Sequence, residues 1–235
     1  MTIQFEQLKQ RLKQDQLRQL GGLSLNDFSE PIQIGGGGQG RVYLTQFNGT
    51  TEQVIIKGST PDEDHPIMFI LREIDVHRNL SFRFLTEYIG SFQQIDPQLN
   101  KQCYYIVMKY YPNKSLTQLI EAQIVSRSYV EEDFAWNILS QMVMAIHYLH
   151  SINVLHKDLK PDNIMLTGDN EVRVGDFGYA RFMDPTRSYV TTLKGTPDCA
   201  SPELLLTGQF RKISDVWGIG ITTYMLLTLT NPFTV

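Results

Sequence analysis

An α+β fold is predicted by three observations. Apolar residues in the first half fall in short strand-like runs at 32–34, 41–44, 54–57, 88–92 and 104–108. The second half carries long segments at helical spacing, above all up to His150 and from Asp215 to Leu229. A glycine run, Gly35 to Gly40 with Gln39 as its one other residue, separates the first two strand-like runs as a hairpin turn would. Strands gathered at one end and helices at the other mark an α+β chain rather than an alternating parallel one. The 235 residues suffice for a sizeable core in one or two domains, and 42% apolar with 20% charged residues is a globular composition.

Bulk properties exclude several partners. A net charge of −4 and a pI near 5.7 oppose a duplex-binding surface, so no nucleic acid is expected. The longest apolar-rich stretch, 217–229, is too short and too interrupted by Gly and Thr to span a bilayer. Two cysteines far apart, Cys103 and Cys199, suggest reduced thiols, and the start lacks a basic-then-apolar leader. The expectation is a cytoplasmic protein with no membrane partner.

In chain order, residues 3–20 come first. They contain no Pro or Gly, and Phe5, Leu8 and Leu12 fall at helical spacing with Ile3, Leu17 and Leu20 roughly alongside. Residues 1–22 are therefore expected to form an amphipathic helical extension, either a partner helix or a segment packed on the domain. Next, missing side chains at Gly35, Gly37 and Gly40 let backbone N–H groups approach phosphate oxygens. A dinucleotide fold shares this spacing but needs a helix after the glycines. Arg41 to Leu44, with Val42 two residues past Gly40, reads as a strand instead. Val54-Ile55-Ile56-Lys57 is a third strand, ending in a lysine placed to reach phosphates. Residues 66–80 read as a helix carrying Glu73 and His77, the latter expected to be packed or hydrogen-bonded rather than a ligand.

Beyond the strand-like run 104–108, Lys109-Tyr110-Tyr111-Pro112 breaks the pattern. Ser115 can cap a short helix to about Ala122, and Ser128 with Glu131 can form a capping box for the next. That helix has Phe134, Ile138, Met142, Ala145 and Leu149 on one face, widened by Trp136, Leu139, Val143 and Ile146. So wide a stripe predicts a largely buried helix. His147 and His150 have no third residue at metal-ligand spacing. The run after Asp215 reads as a helix buried all round.

The chemistry concentrates between these helices. Residues 154–163, Val-Leu-His-Lys-Asp-Leu-Lys-Pro-Asp-Asn, place an acid, an amine and an amide within six residues. A carboxylate at Asp158 can take a proton from a hydroxyl, an ammonium at Lys160 can neutralise a transferring phosphoryl group, and an amide oxygen at Asn163 can hold a divalent metal. Thirteen residues past Asn163, Asp176-Phe177-Gly178 offers a second metal-capable carboxylate. One loop for the nucleophile and one for the metal are what phosphoryl transfer requires.

These residues resemble a eukaryotic-type protein kinase of the serine/threonine class. Residues 156–158 stand for its His-Arg-Asp, 176–178 for its DFG triplet, 54–57 for its Val-Ala-Ile-Lys strand and 201–203 for its Ala-Pro-Glu. The resemblance covers residues 28–233 and implies a bilobal fold. Its first lobe, 28–110, has an antiparallel sheet with one main helix. Its second, 111–233, is mostly helical and lacks the family's last helices.

The resemblance implies ATP and Mg²⁺ as cofactors and a protein substrate. Gly35, Gly37, Gly40, Val42, Ile55, Lys57, Met108, Lys109, Tyr110, Tyr111 and Met165 would surround the nucleotide, Met108 as gatekeeper and Met165 as floor. Glu73 would orient Lys57, Asn163 and Asp176 would hold Mg²⁺, and Asp215 would tie down the catalytic loop. Thr196 would contact Asp158 and Lys160, and Thr196 and Lys160 both lean toward Ser/Thr substrates. His156 would pack near Phe177, with a general-base role as its alternative.

Thr192, or its neighbour Thr191, would be the switch phosphorylated by an upstream kinase. The end of the long helix, 224–233, is similar to never-in-mitosis-type and calcium/calmodulin-type kinases. Four departures point to a weak or inactive kinase-like module as the alternative function: Ile55 replaces the small residue over adenine, Lys157 lacks the planar fork of arginine, the glycine-heavy loop is looser than usual, and the last helices are missing. Glu203 also has no identifiable partner. The missing helices would leave an apolar patch for a partner or self-association to cover.

Overall fold

A computed structural model describes residues 22–37, 40–113, 115–184, 186–191 and 196–233. The expected helix over 3–20 and the candidate phosphosite Thr192 lie outside them. The chain divides into two units. The first runs to Leu80 and resumes over Glu87–Tyr110; the second takes Ser81–Thr86 and everything from Tyr111 onward.

The first unit is built on five strands, β1 (Ile32–Gly37), β2 (Gly40–Gln46), β3 (Gln53–Ser59), β4 (Tyr88–Asp96) and β5 (Lys101–Lys109), in the order β1-β2-β3-β5-β4. Every neighbouring pair is antiparallel. Alternation along β5 explains how the sheet is covered on both sides. Tyr104 and Ile106 meet Ile70 and Ile74 of helix α1 (Ile67–Asn79). Cys103, Tyr105 and Val107 join Phe28, Phe47, Ile56 and Phe92 in a second cluster on the opposite face. A strand buried on both faces reads as an unbroken apolar run, and 104–108 does. The chain after the glycines is a strand, which removes the dinucleotide reading.

The second unit is mostly helical, with α2 (Leu116–Ser126), α3 (Glu132–Ser151), α4 (Pro202–Thr207) and α5 (Lys212–Thr228). Three two-stranded ribbons join them: β6 (Val154–Leu155) with β9 (Arg181–Phe182), β7 (Ile164–Leu166) with β8 (Val172–Val174), and β10 (Val190–Thr191) with β11 (Gln209–Phe210). Ser115 caps α2 as expected, its Oγ accepting from Gln118 N and its own N–H donating to Gln118 Oε1 at 3.1 Å. Together the two units form the α+β, bilobal arrangement. Among the described residues α5 is the last helix, and no helix is long and apolar enough to cross a membrane.

Four expectations need correction. The capping box at Ser128 and Glu131 does not form; Glu131 sits at the N-cap without a side-chain bond, and Ser128 Oγ instead donates back to Gln123 at the end of α2. Helix α3 buries a stripe of Ala135, Ile138, Gln141, Met142, Ala145, Ile146 and Leu149, whereas Trp136 and Val143 face solvent. Trp136 can lie exposed because its indole N–H donates to Glu132 one turn back. Helix α5 is likewise not buried all round, since Ile213, Val216, Tyr224 and Leu227 are exposed. Finally, Glu203 does have a partner, Ser214, whose hydroxyl donates to its Oε1.

Candidate active site

The second unit brings the chemical residues of the central loop together. Strand β6 ends at Leu155, and the chain turns through His156 to Asp158 before a 3₁₀ turn over Pro161–Asn163. Asp215, at the start of α5, organises that turn. Its carboxylate accepts from the N–H of His156 at 3.1 Å, from the N–H of Lys157 at 2.9 Å, and contacts His150 Nε2 at 2.7 Å. Lys157 has a left-handed backbone, φ 73°, which this clamp holds in place. Two N–H groups that a tight turn would otherwise orphan in a buried setting are thereby satisfied.

Around Asp158 the polar contacts form a closed set. Oδ1 accepts from the Thr196 hydroxyl at 2.8 Å, and that hydroxyl accepts from Lys160 Nζ at 2.7 Å. Oδ2 accepts from Asn163 Nδ2 at 2.9 Å and lies 3.1 Å from Lys160 Nζ. Burial alone would lower the Lys160 pKa, but the Asp158 carboxylate outweighs it, so the ammonium is held above its ordinary value. Asp158 is only 5% exposed.

The second loop is tied to the first through the backbone. Gly175 N–H donates to the carbonyl of Asn163 at 2.8 Å, and His156 Nε2 contacts the Gly175 carbonyl at 2.9 Å. The His156 ring packs 5.4 Å from that of Phe177. Asp176 then adopts φ 54°, with Oδ1 accepting from Gly178 N at 3.2 Å. The donor set fits magnesium, which takes one or two protein oxygens and leaves the rest to phosphate and water. Asn163 commits its amide nitrogen to Asp158, at 2.7 Å to the carbonyl and 2.9 Å to Oδ2. Its oxygen is left as the atom able to meet a cation. Met165 lies in β7, where it bridges to Ser115, and Tyr111 is buried beneath the Arg173 guanidinium, 5.6 Å from its ring centroid.

In the first unit, Lys57 Nζ contacts Glu73 Oε1 at 2.7 Å, joining β3 to α1 with both groups buried. Val42 on β2 stands opposite Lys57, and Ile55 stands between Leu44 and Met108. Gly35 and Gly37 belong to β1 and Gly40 opens β2, so the hairpin strands extend into the glycine run. At Gly40, with φ 132°, an added Cβ would come within 2.4 Å of the Gly58 carbonyl oxygen, so only glycine fits. Met108 and Lys109 end β5, and Tyr110 follows as the last residue of this unit. Lys109 N–H donates to the Glu87 carbonyl at 3.0 Å.

Sequence reading missed three structural supports: His150 against Asp215, Gln141 accepting from Val172 N at 2.8 Å, and Tyr105 donating to Asp96 at 2.7 Å. The first two pairs are 65 and 31 residues apart, so no local spacing signals them.

A family model described as a protein kinase domain matches residues 28–235. Among curated proteins, the chain is 31% identical over 202 residues to serine/threonine-protein kinase 36 of Pongo abelii. It is 30% identical over 217 residues to serine/threonine-protein kinase Nek2 of Homo sapiens, and 30% over 222 residues to an Aurora kinase of Eremothecium gossypii. These alignments cover 85%, 88% and 92% of this chain but only 14%, 47% and 57% of the relatives. Identities so close to one another select no subfamily. Because the matched model takes in both units and every loop described above, the chain belongs to the protein kinase domain family.

Proposed function

We propose that this chain is a protein kinase domain that retains the residues for moving the γ-phosphoryl group of ATP to a serine or threonine hydroxyl, and that its output is weak. The observation that carries the reading is the Asp158 carboxylate, held between Thr196, Lys160 and Asn163. In this role Asp158 accepts the hydrogen bond of the incoming hydroxyl and takes its proton as transfer proceeds. Lys160 sits where charge on the transferring group would be neutralised, and Thr196 fixes the carboxylate from the substrate side. Lys57, oriented by Glu73, would contact the nucleotide phosphates; Asn163 and Asp176 would hold Mg²⁺, which would supply positive charge against the phosphates. Asp215 acts at one remove, by fixing the turn that carries Asp158.

Weak output is supported by Ile55, whose β-branched side chain stands at the position that would cover adenine, between Leu44 and Met108. A second reading, a kinase-like interaction module without catalysis, is favoured by exposed apolar side chains near the end of the chain. Leu205 and Leu206 on α4 are 67% and 83% exposed, and Ile213 at the start of α5 is 61% exposed.

Transfer of labelled phosphate from Mg-ATP to a generic protein substrate separates the two, with Asp158→Asn as the control. Signal above the control supports the weak kinase; equal signal from both leaves only the interaction module. A thermal shift with Mg-ATP then tells a blocked pocket from a disabled catalyst.

A further inference from the structure

One short stretch of the second unit, Ser81–Thr86, interrupts the chain of the first between α1 and β4. It is anchored from end to end. The Phe82 ring stacks on that of Tyr148 in α3, 4.6 Å away and 5° from parallel. Arg83 pairs with Glu171. Leu85 bridges to Val174 in parallel, with Val174 N–H donating to the Phe84 carbonyl and Thr86 N–H to the Val174 carbonyl, both at 2.8 Å. The stretch thus runs as an added strand beside β8. None of the residues assigned to phosphoryl transfer lies on it.

Thr86 is buried and packs against Gly175, the residue before Asp176. A Cβ on Gly175 would meet Thr86 Cγ2 at 2.6 Å, Oγ1 at 3.2 Å and Cβ at 3.5 Å, its three nearest atoms apart from chain neighbours. Gly175 does not have a left-handed backbone. Contact with Thr86, rather than conformation, therefore demands a glycine there. A β-branched side chain is stiff at χ1, so the Thr86 methyl makes a fixed wall. Two further sides of Gly175 are held by the Asn163 carbonyl, which accepts its N–H at 2.8 Å, and by His156 Nε2, 2.9 Å from its carbonyl. Asp176 follows at φ 54°, a conformation that a non-glycine residue keeps only where its surroundings over-determine it.

We propose that Thr86 is a positioning residue for the metal-capable loop: packed on Gly175, it holds Asp176 in its left-handed backbone with Oδ1 on the Gly178 N–H. The consequence for catalysis rests on the phosphoryl-transfer reading; the contact and its hold on Asp176 do not. A pair of complementary substitutions tests it. Gly175→Ala drives a methyl into Thr86 Cγ2. In Thr86→Ala/Gly175→Ala the facing atoms are two Cβ atoms 3.5 Å apart, an ordinary van der Waals contact. Recovery in the double variant isolates this contact from other effects of either change.

The first readout is exchange of the Gly178 amide, followed by NMR on the full chain without nucleotide or metal, because that N–H donates to Asp176 Oδ1. Gly175→Ala is expected to speed it by about tenfold or more, and the double variant to return within about threefold of the parent, with α3 amides unchanged in both. Thr86→Ser, which removes only the methyl, should speed it several-fold. Parent-like exchange in Gly175→Ala or in Thr86→Ser would overturn the proposal. So would exchange as fast in the double variant as in Gly175→Ala, or a rise shared by the α3 amides. If Gly175→Ala does not fold, Thr86→Ser and the double variant decide. The second readout is labelled-phosphate transfer at saturating Mg-ATP. Turnover should fall about tenfold or more in Gly175→Ala and recover in the double variant, with the half-saturating concentration of acceptor protein unchanged. Faster exchange with undiminished turnover would overturn the positioning role. A parent chain without transfer would end the functional reading alone, and exchange would still decide whether Thr86 holds Asp176.

Discussion

Asp158 concentrates the proposed chemistry in two oxygens, so its replacement is the most direct probe. Asp158→Asn keeps the shape but removes the base, and a positioned base contributes about 10²–10⁴-fold to rate. Labelled-phosphate transfer is therefore expected to fall by at least about a hundredfold. Glu73→Gln acts differently. It removes one member of a buried pair 2.7 Å apart, and breaking such a pair costs about 3–5 kcal/mol. Calorimetry should show the melting temperature lower by at least about 6 °C together with reduced transfer. Cys199 gives a third residue-level reading. Burial first, and then the nearby Asp158 carboxylate, push its thiol up to about 11. Alkylation of Cys199 at neutral pH, followed by mass spectrometry, should run roughly a hundredfold slower than for an ordinary thiol, because the thiolate is the reactive form.

Elements are positioned by contacts that a single methyl group can disturb. Gly218 lets α5 lie against the loop carrying Asp158: a Cβ there would meet Leu159 Cβ at 2.8 Å and the Leu159 carbonyl oxygen at 3.2 Å. Gly218→Ala should therefore cost about 1–3 kcal/mol in urea unfolding and depress transfer by displacing the residue next to Asp158. The β4–β5 hairpin is clipped by Asp96, which accepts from Tyr105 at 2.7 Å and from Gln98 and Leu99 N–H at 2.8 Å. Burial alone would raise this carboxyl, but those donors and the Arg41 guanidinium outweigh it and hold it below the ordinary carboxylate value. A group depressed in the folded state contributes stability above its unfolded pKa, near pH 4, and loses it as pH falls through the folded one. Urea midpoints measured from pH 6 down to pH 2 should thus fall more steeply for the parent chain than for Asp96→Asn.

At the scale of the whole molecule, the two units meet different demands. The first stacks apolar clusters on both faces of one sheet, and its proposed nucleotide-binding residues lie on strands or beside them. The second packs α3 against α5 and ties the loop carrying Asp158 to that pair through Asp215 and His150. The exposed apolar side chains of Leu205, Leu206 and Ile213 carry the interaction reading. On that reading, light scattering should show association of the parent chain that grows with concentration and that Leu205→Glu/Leu206→Glu removes, while phosphate transfer is unchanged.

Local pattern alone determined much of this protein. The glycine hairpin, the lysine strand, the helix bearing Glu73, the capped helix after Ser115 and the two chemical loops were legible because each depends on residues a few positions apart. That Thr196 joins Asp158 was legible only through resemblance to known kinases, since it lies 38 residues away. Tertiary structure decided the rest. It narrowed the buried stripe of α3, exposed half of α5, paired Glu203 with Ser214 and set His150 on Asp215. Helical periodicity reports which residues share a face, but not how much of that face a neighbour covers. The partner of a buried charge is chosen by the path of the folded chain, which places distant residues within hydrogen-bonding reach only after the helices have packed.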